Sequence, residues 1–265
     1  MSKKSPISYF KKQAKEQLLG NYSIAIGSFV VIFALSYVIF TVVTGAVTAF
    51  AIGDNIAGDD MSSVLSLLSN KRNSLMFTLL TYIEMAVLTP LCAIFTTGFA
   101  YVCVKITKNQ RPVISDVFFV TKNHPDKIII ITLVMYGVSV VCDIPALVFE
   151  YTCDLSGADD LLIYMLLGLA GAIAGLVINI MLSLSCFVYI DDPQMDATDC
   201  MKRSIKLMKG NKWRYFYMVL SFAGYLLLII LSLGIALLWI APYYEMTTVN
   251  FYMDAVKQCE DENEY

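Results

Sequence analysis

Four polar side chains stand inside long apolar stretches of this 265-residue chain: Glu84, Asp143, Asn179 and Glu245. An ionisable or amide group surrounded by hydrocarbon is expensive, so each is a candidate for handling an ion, a proton or a polar substrate. Glu84 stands about ten residues, or ~15 Å of helix, in from one end of its apolar run. Pro90 follows shortly after and can free backbone carbonyls for a ligand. Glu245 has Pro242, Tyr243, Tyr244 and Thr247 as neighbours. Asn179 shares a helical face with Gly175, Gly171 and Gly168, a spacing that lets two helices approach closely; an amide on such a seam also serves as packing glue. Asp143 lies about 16 residues, ~24 Å, beyond Lys127, which puts it near a membrane surface before the Pro145 kink. No Lys or Arg lies deep in an apolar run to neutralise Glu84 or Glu245. A transport function would have Glu84, Asn179 and Glu245 line one midplane site visited by a proton, a cation or a cationic substrate.

Lysine supplies a second chemistry. Lys11, Lys12 and Lys15 face away from a helical stripe of Ile7, Phe10, Ala14 and Leu18, and Lys202, Lys206 and Lys209 stand off a stripe of Ala197, Met201, Ile205 and Met208. Basic amphipathic helices of this kind contact anionic lipid headgroups. They also arise wherever inward loops obey the positive-inside rule and anchor a corner. A shorter middle segment, Ile114, Val117, Phe118 and Thr121, has Ser115 as its candidate N-cap.

Other chemistries lack their residues. The single histidine is His124, and no G-x-S-x-G, P-loop or H-E-x-x-H pattern occurs. The seven cysteines are odd in number, without a C-x-x-C pair, and most lie in apolar runs, where cysteine packs as a small apolar residue. The expectation is therefore a non-enzymatic protein without catalytic residues, metal or cofactor. A net charge of -3 gives no basic footprint for nucleic acid. The expected partners are membrane lipids and a membrane protein or a second copy of the chain.

The elements that carry these groups follow from composition. Hydrophobic residues make up 58% and charged residues 15% of the chain, against about 25% charged in ordinary soluble domains. A transmembrane helix needs about 20 apolar residues. Stretches 22–52, 75–104, 128–149 and 161–190 qualify, and none shows the alternation of a barrel strand. The run beginning at Tyr22 is too long for a cleaved signal peptide. A last block reads either as one span or as a hairpin, 213–231 out and 235–254 back, turning at Ser232-Leu233-Gly234. Of the 19 Lys and Arg, only Lys71 and Arg72 fall in an expected outer loop, Asp54–Arg72. The basic corners precede the first span, join the second to the third, and join the fourth to the fifth, so the N-terminus is expected in the cytoplasm.

These corners repeat. Leu19-Gly20-Asn21-Tyr22 and Lys209-Gly210-Asn211-Lys212-Trp213 end the first and third surface segments alike, and the middle one keeps Asn123. Gly and Asn tolerate the left-handed backbone that stops a helix. Three units, each a surface helix (about 6–19, 115–122 and 196–209) followed by a helical hairpin, predict six spans, with five as the alternative. The fold expected is a single all-α, polytopic transmembrane helix bundle over 1–265, with short amphipathic interfacial helices.

The same corners carry a resemblance. Ala14-Lys15 with Leu19-Gly20-Asn21-Tyr22 and Ala25-Ile26 is similar to the opening of an uncharacterised bacterial integral-membrane family, mostly of Gram-positive organisms and filed as a domain of unknown function. Leu207-Met208-Lys209-Gly210-Asn211-Lys212, Leu220-Ser221-Phe222 with Gly224, Leu233-Gly234-Ile235, Leu238-Trp239 and Pro242-Tyr243 resemble its C-terminal part, as do Thr247 and Asn250-Phe251-Tyr252. Tyr225 stands where the family often has Trp, and Ser232 where it often has Thr. The resemblance covers about the first 30 and last 60 residues. It implies a multi-pass protein of the bacterial inner (plasma) membrane without an established activity, with an accessory, scaffold or envelope-associated role expected and a small transporter or channel as the alternative.

Overall fold

Hydrocarbon dictates the secondary structure. With no water to accept backbone hydrogen bonds, a long apolar segment must satisfy its amides internally, which an α-helix does. The structure, a computed structural model, describes residues 5–52, 75–153 and 157–263; it is helical, with no strand among the described residues. The expected outer loop Asp54–Arg72, with Lys71 and Arg72, lies outside them. The elements run α1 (Ile7–Leu18), α2 (Tyr22–Ile52), α3 (Leu75–Thr107), a 3-10 turn (Ile114–Phe118) leading into α4 (Phe119–Lys122), α5 (Pro125–Thr152), α6 (Ala158–Leu182), α7 (Ser185–Asp191), α8 (Ala197–Met208), α9 (Lys212–Leu220), α10 (Gly224–Leu231) and α11 (Leu237–Asn263).

Five stretches are long and apolar enough to cross a membrane: Tyr22–Ala49, Thr78–Thr107, Pro125–Thr152, Ala158–Asp191 and Lys212–Leu231. The fourth is broken between α6 and α7, and the fifth between α9 and α10. Neighbours in sequence pack side by side, α2 on α3, α3 on α5 and α5 on α6. The last block turns back on itself. Tyr215 stacks edge-on with Phe251 (ring centroids 5.3 Å apart) and Phe222, between α9 and α10, meets Tyr243 at 5.2 Å, so earlier residues of the outgoing arm pair with later ones of α11. The reversal passes through Leu233 (φ 52°) and Gly234 (φ 90°), and Ser232 Oγ accepts from the Ala236 amide at 2.9 Å. Leu233 pays the steric cost of a left-handed residue, whereas Gly234 adopts it freely. The returning α11 has Tyr, Glu, Thr and Asn in its middle and is not among the five apolar stretches.

The corners are built alike three times. In each, an asparagine amide donates to the carbonyl four residues earlier: Asn21 to Gln17 at 3.0 Å, Asn123 to Phe119 at 2.9 Å and Asn211 to Leu207 at 3.1 Å. Its backbone N–H reaches the carbonyl three residues back: Leu18, Val120 and Met208, respectively. This closes the carbonyls that a helix end leaves open. Gly20 (φ 89°) and Gly210 (φ 78°) make the turn in the outer copies, and in the middle one His124 (φ 53°) makes it after the asparagine.

Two sequence details are corrected. The middle surface segment is not capped by Ser115: Asp116 Oδ2 accepts the Val113 N–H at 2.7 Å, and Val117 and Val120, rather than Ile114 and Phe118, turn inward. A carboxylate three residues on reaches a free amide better than the serine, which is itself inside the turn. In α8 the inward stripe is Ala197, Cys200, Ser204, Leu207 and Met208, while Ile205 is exposed. Ser204 can be buried because its hydroxyl donates to the Met181 carbonyl at 2.8 Å.

The core is lopsided. Phe10, Leu18, Ile128, Tyr189, Met208, Phe251 and Tyr252 are almost fully buried and gather where the surface helices and α11 meet. Toward the opposite end, α10 buries no residue, and Leu231 and Leu233 are 83% and 93% exposed. Exposed apolar surface of this kind suits contact with lipid or with another apolar helix.

Candidate functional site

Glu84 lies on α3 and accepts a hydrogen bond from Thr44 of α2, Oγ1 to Oε1 2.6 Å. Asn179 lies on α6, and its amide donates to Ser139 Oγ of α5 at 2.9 Å. Both contacts stitch helices that already pack together. On the Asn179 seam, Gly171 is buried against the Cys142 carbonyl; a Cβ there would stand 2.4 Å from that oxygen. The close approach expected of the glycine spacing is thus present at Gly171.

Glu245, on α11, lies within electrostatic range of Cys103 (α3), Cys186 (α7), Tyr215 (α9) and Tyr244. Hydroxyl contacts link Tyr215 to Tyr244 and Ser183, and Thr97 to Cys186. Glu245 itself has no hydrogen-bond partner among the described residues. No hydrogen bond joins Glu84, Asn179 and Glu245; the first two engage separate helix pairs. Asp143 sits on α5 within electrostatic range of Tyr82 and Tyr136, and the Tyr136 hydroxyl donates to the Tyr82 carbonyl at 2.8 Å. Three cavities lie elsewhere, between α6 and α9, between α3 and α5, and under α1, and none of these three is lined by Glu84, Asn179 or Glu245.

The basic corners are more committed than lysine-rich loops suggest. Lys105 pairs with Asp116 (2.8 Å), and Lys108 with Asp191 (2.8 Å). Lys127 donates to the carbonyls of Pro193 and Gln194, and Arg214 pairs with Asp254 at 2.7 Å while also reaching the Ser5 carbonyl. Tyr189 hydrogen-bonds the Asn123 carbonyl, and Tyr252 reaches Asp191 at 2.5 Å. Together these tie the segment before α1, α3, the 3-10 turn, α5, α7, α9 and α11 into one plate at one end of the bundle. Ser5 also donates to Asp254, so the described N-terminal segment meets α11 at that end.

The candidate headgroup lysines divide. Lys11 turns back from its helix, donates to the Ser221 carbonyl at 3.1 Å and lies 4.4 Å from the Phe222 ring; Lys15 lies 5.5 Å from the Tyr243 ring. Burial and the neighbouring Lys15 charge lower the Lys11 pKa. Lys12 stays outward beside Glu16, Lys202 pairs with Asp199 of its own helix, Lys206 is exposed on α8, and Lys209 is exposed just past its end.

Among the described residues no three His, Cys, Asp or Glu side chains come together to hold a metal. The seven cysteines are free. Cys200 is buried in α8, and that burial pushes its thiol up to about 11, so it stays protonated near neutral pH. Sequence reasoning missed Arg214–Asp254 and the Gln17–Asn250 amide pair (2.8 Å from Asn250 Nδ2 to Gln17 Oε1). The first spans 40 residues and the second joins opposite ends of the chain, so neither leaves a local signal.

Apolar helices of membrane-spanning length, stitched by interior polar pairs and closed by a basic plate, define a helical membrane-type protein. The particular family is the one described as a protein of unknown function, DUF975, which matches residues 5–259; the chain belongs to it. No curated protein and no solved structure matches the chain.

Proposed function

We propose that this chain is a multi-pass protein of the bacterial plasma membrane, with its N-terminus in the cytoplasm, and that it acts as a non-enzymatic accessory or scaffold module. Its partners are membrane lipids and a membrane protein or second copy of itself. One observation carries this: Glu84 and Asn179, the deep polar groups, are each engaged by a side chain of the adjoining helix, Thr44 and Ser139. A transport path needs polar atoms facing a shared space; these are used as helix–helix glue. The concentration of Lys and Arg in the plate supports a cytoplasmic face there.

The test has two parts. Reporter fusions at each terminus should both read cytoplasmic, and purified protein in liposomes should pass protons or alkali cations no faster than empty liposomes. A flux abolished by Glu84→Gln or Glu245→Gln would overturn the accessory role. A second function is favoured by Glu245 alone: an unpartnered carboxylate among thiols and hydroxyls fits a proton or cation site of a small transporter or channel, and the same flux assay detects it.

A further inference from the structure

A polar cavity of about 400 Å³ opens under α1 at the basic end, between the α3 terminus and the last turns of α11. Its floor is the paired amides of Gln17 and Asn250, with Asn250 96% buried. Its walls include two charges already matched outside it: Lys108 by Asp191, and Asp254 by Arg214. One charge remains. Lys257 lines the same space and pairs with no carboxylate within ion-pair distance among the described residues. Gln13 and Tyr9 contribute an amide and a phenol that make no side-chain hydrogen bond there. The lining is thus net positive, keeps three uncommitted donors at Lys257, Gln13 and Tyr9, and holds no unpaired carboxylate.

From this geometry we infer that the cavity binds a phosphate group. A compact ammonium is an effective phosphate partner, and a tetrahedral oxyanion presents acceptors to donors arriving from several sides. Lys257 supplies the charge, Gln13 and Tyr9 donate to separate oxygens, and Lys108 keeps protons to share beyond its pair with Asp191. The volume falls in the range of small-molecule sites, so the group arrives attached to something larger. Two sources share this chemistry, a soluble phosphorylated molecule and the headgroup of an anionic lipid reaching in beside α1. The site stands whether the protein is an accessory module or a transporter.

The full-length protein in nanodiscs of zwitterionic lipid is titrated with sodium phosphate against sodium chloride at matched ionic strength, and thermal unfolding is followed. A parallel series replaces part of the lipid with phosphatidylglycerol and omits phosphate. At ligand tenfold above its Kd, unfolding becomes about elevenfold less favourable. Lys257→Gln should weaken the responding ligand by roughly tenfold or more, Lys257→Arg should retain most of the effect, and Lys122→Gln, exposed at the end of α4 outside the cavity, should change nothing. A response to free phosphate alone assigns a soluble ligand, and a response to the anionic lipid alone assigns a headgroup. If neither stabilises the protein, or if Lys257→Gln and Lys122→Gln weaken the response equally, the site does not exist. Lys257 is exposed, so its replacement leaves the core intact; Gln13→Leu adds a second check, with a severalfold loss expected.

Discussion

Replacing Gly98 by alanine adds one methyl group at the tightest backbone approach among the described glycines. The new Cβ would stand 1.8 Å from the Val117 carbonyl oxygen and 2.7 Å from its carbon. The obstacle is backbone, held by the buried Val117 side chain and by the Lys105–Asp116 pair, so no rotamer change relieves the clash. Overpacking costs typically ~1–3 kcal/mol, and a backbone obstacle belongs at the upper end. For a chain of this size each kcal/mol moves the midpoint by about 2–4 °C, so Gly98→Ala should unfold roughly 6–12 °C lower. Three controls grade the claim. Gly171→Ala meets the Cys142 oxygen at 2.4 Å and should lose less, and Gly175→Ala meets only the Cys142 Cβ at 3.9 Å and should be near neutral. Gly45→Ala meets nothing within 4 Å and should gain up to ~1 kcal/mol from better helix propensity. The assay is thermal unfolding in one detergent, read by circular dichroism. Equal midpoints for Gly98→Ala and Gly45→Ala would refute the argument that the 3-10 turn is clamped on α3.

Other outcomes follow from the plate. Arg214 and Asp254 are mostly buried, so Arg214→Ala leaves a carboxylate uncompensated and should cost about 3 kcal/mol in denaturant unfolding, whereas replacing both partners with Met and Leu should recover most of it. The three corner asparagines make the same contacts, so Asn21→Ala, Asn123→Ala and Asn211→Ala should each cost about 1 kcal/mol; a loss at one copy alone would deny the repeat. The raised Cys200 thiol predicts a pH effect of defined sign. Its folded pKa of about 11 exceeds the ordinary thiol value of 9.0, so its contribution is intact below pH 9 and is lost as pH climbs toward 11, because the unfolded chain gives up the proton first. Cys200→Ala should flatten that alkaline loss in an unfolding series from pH 8 to 11.

Which parts of this molecule can be read from its sequence depends on how far apart the cooperating residues are. The corners were legible because a Gly-Asn stop acts within four residues, and the apolar runs because length against bilayer thickness is a local property. The surface stripes were half legible. Phe10, Ala14 and Leu18 follow the apolar period, but in α8 the period admits two rotations. Hydropathy favours Ile205 inward, while the structure buries Ser204 because a carbonyl 23 residues away accepts its hydrogen bond. A polar residue's burial is decided by its partner, and partners come from folding.

The candidate site shows the same limit more sharply. Scarcity in an apolar run singled out Glu84, Asn179 and Glu245 equally, since each would be costly alone in hydrocarbon. Yet Thr44 lies 40 residues before Glu84, and Ser139 lies 40 before Asn179, so nothing local told the paired residues from the unpaired one. Once the partners are known, the cost of burying Glu84 and Asn179 is offset within the helix seams, and Glu245 keeps its own. The same reasoning turns the lysines around: Lys11, which helical spacing directs to water, is drawn under its helix by the Ser221 carbonyl and the Phe222 ring, while Lys257, in an acidic tail with no stripe to mark it, is the cation left without a counter-charge beside a polar cavity. In a bundle whose plate charges and helix-seam polar groups are partnered, as Lys105, Lys108, Arg214, Glu84 and Asn179 are, the groups left unmatched are the ones whose free energy a ligand can still lower.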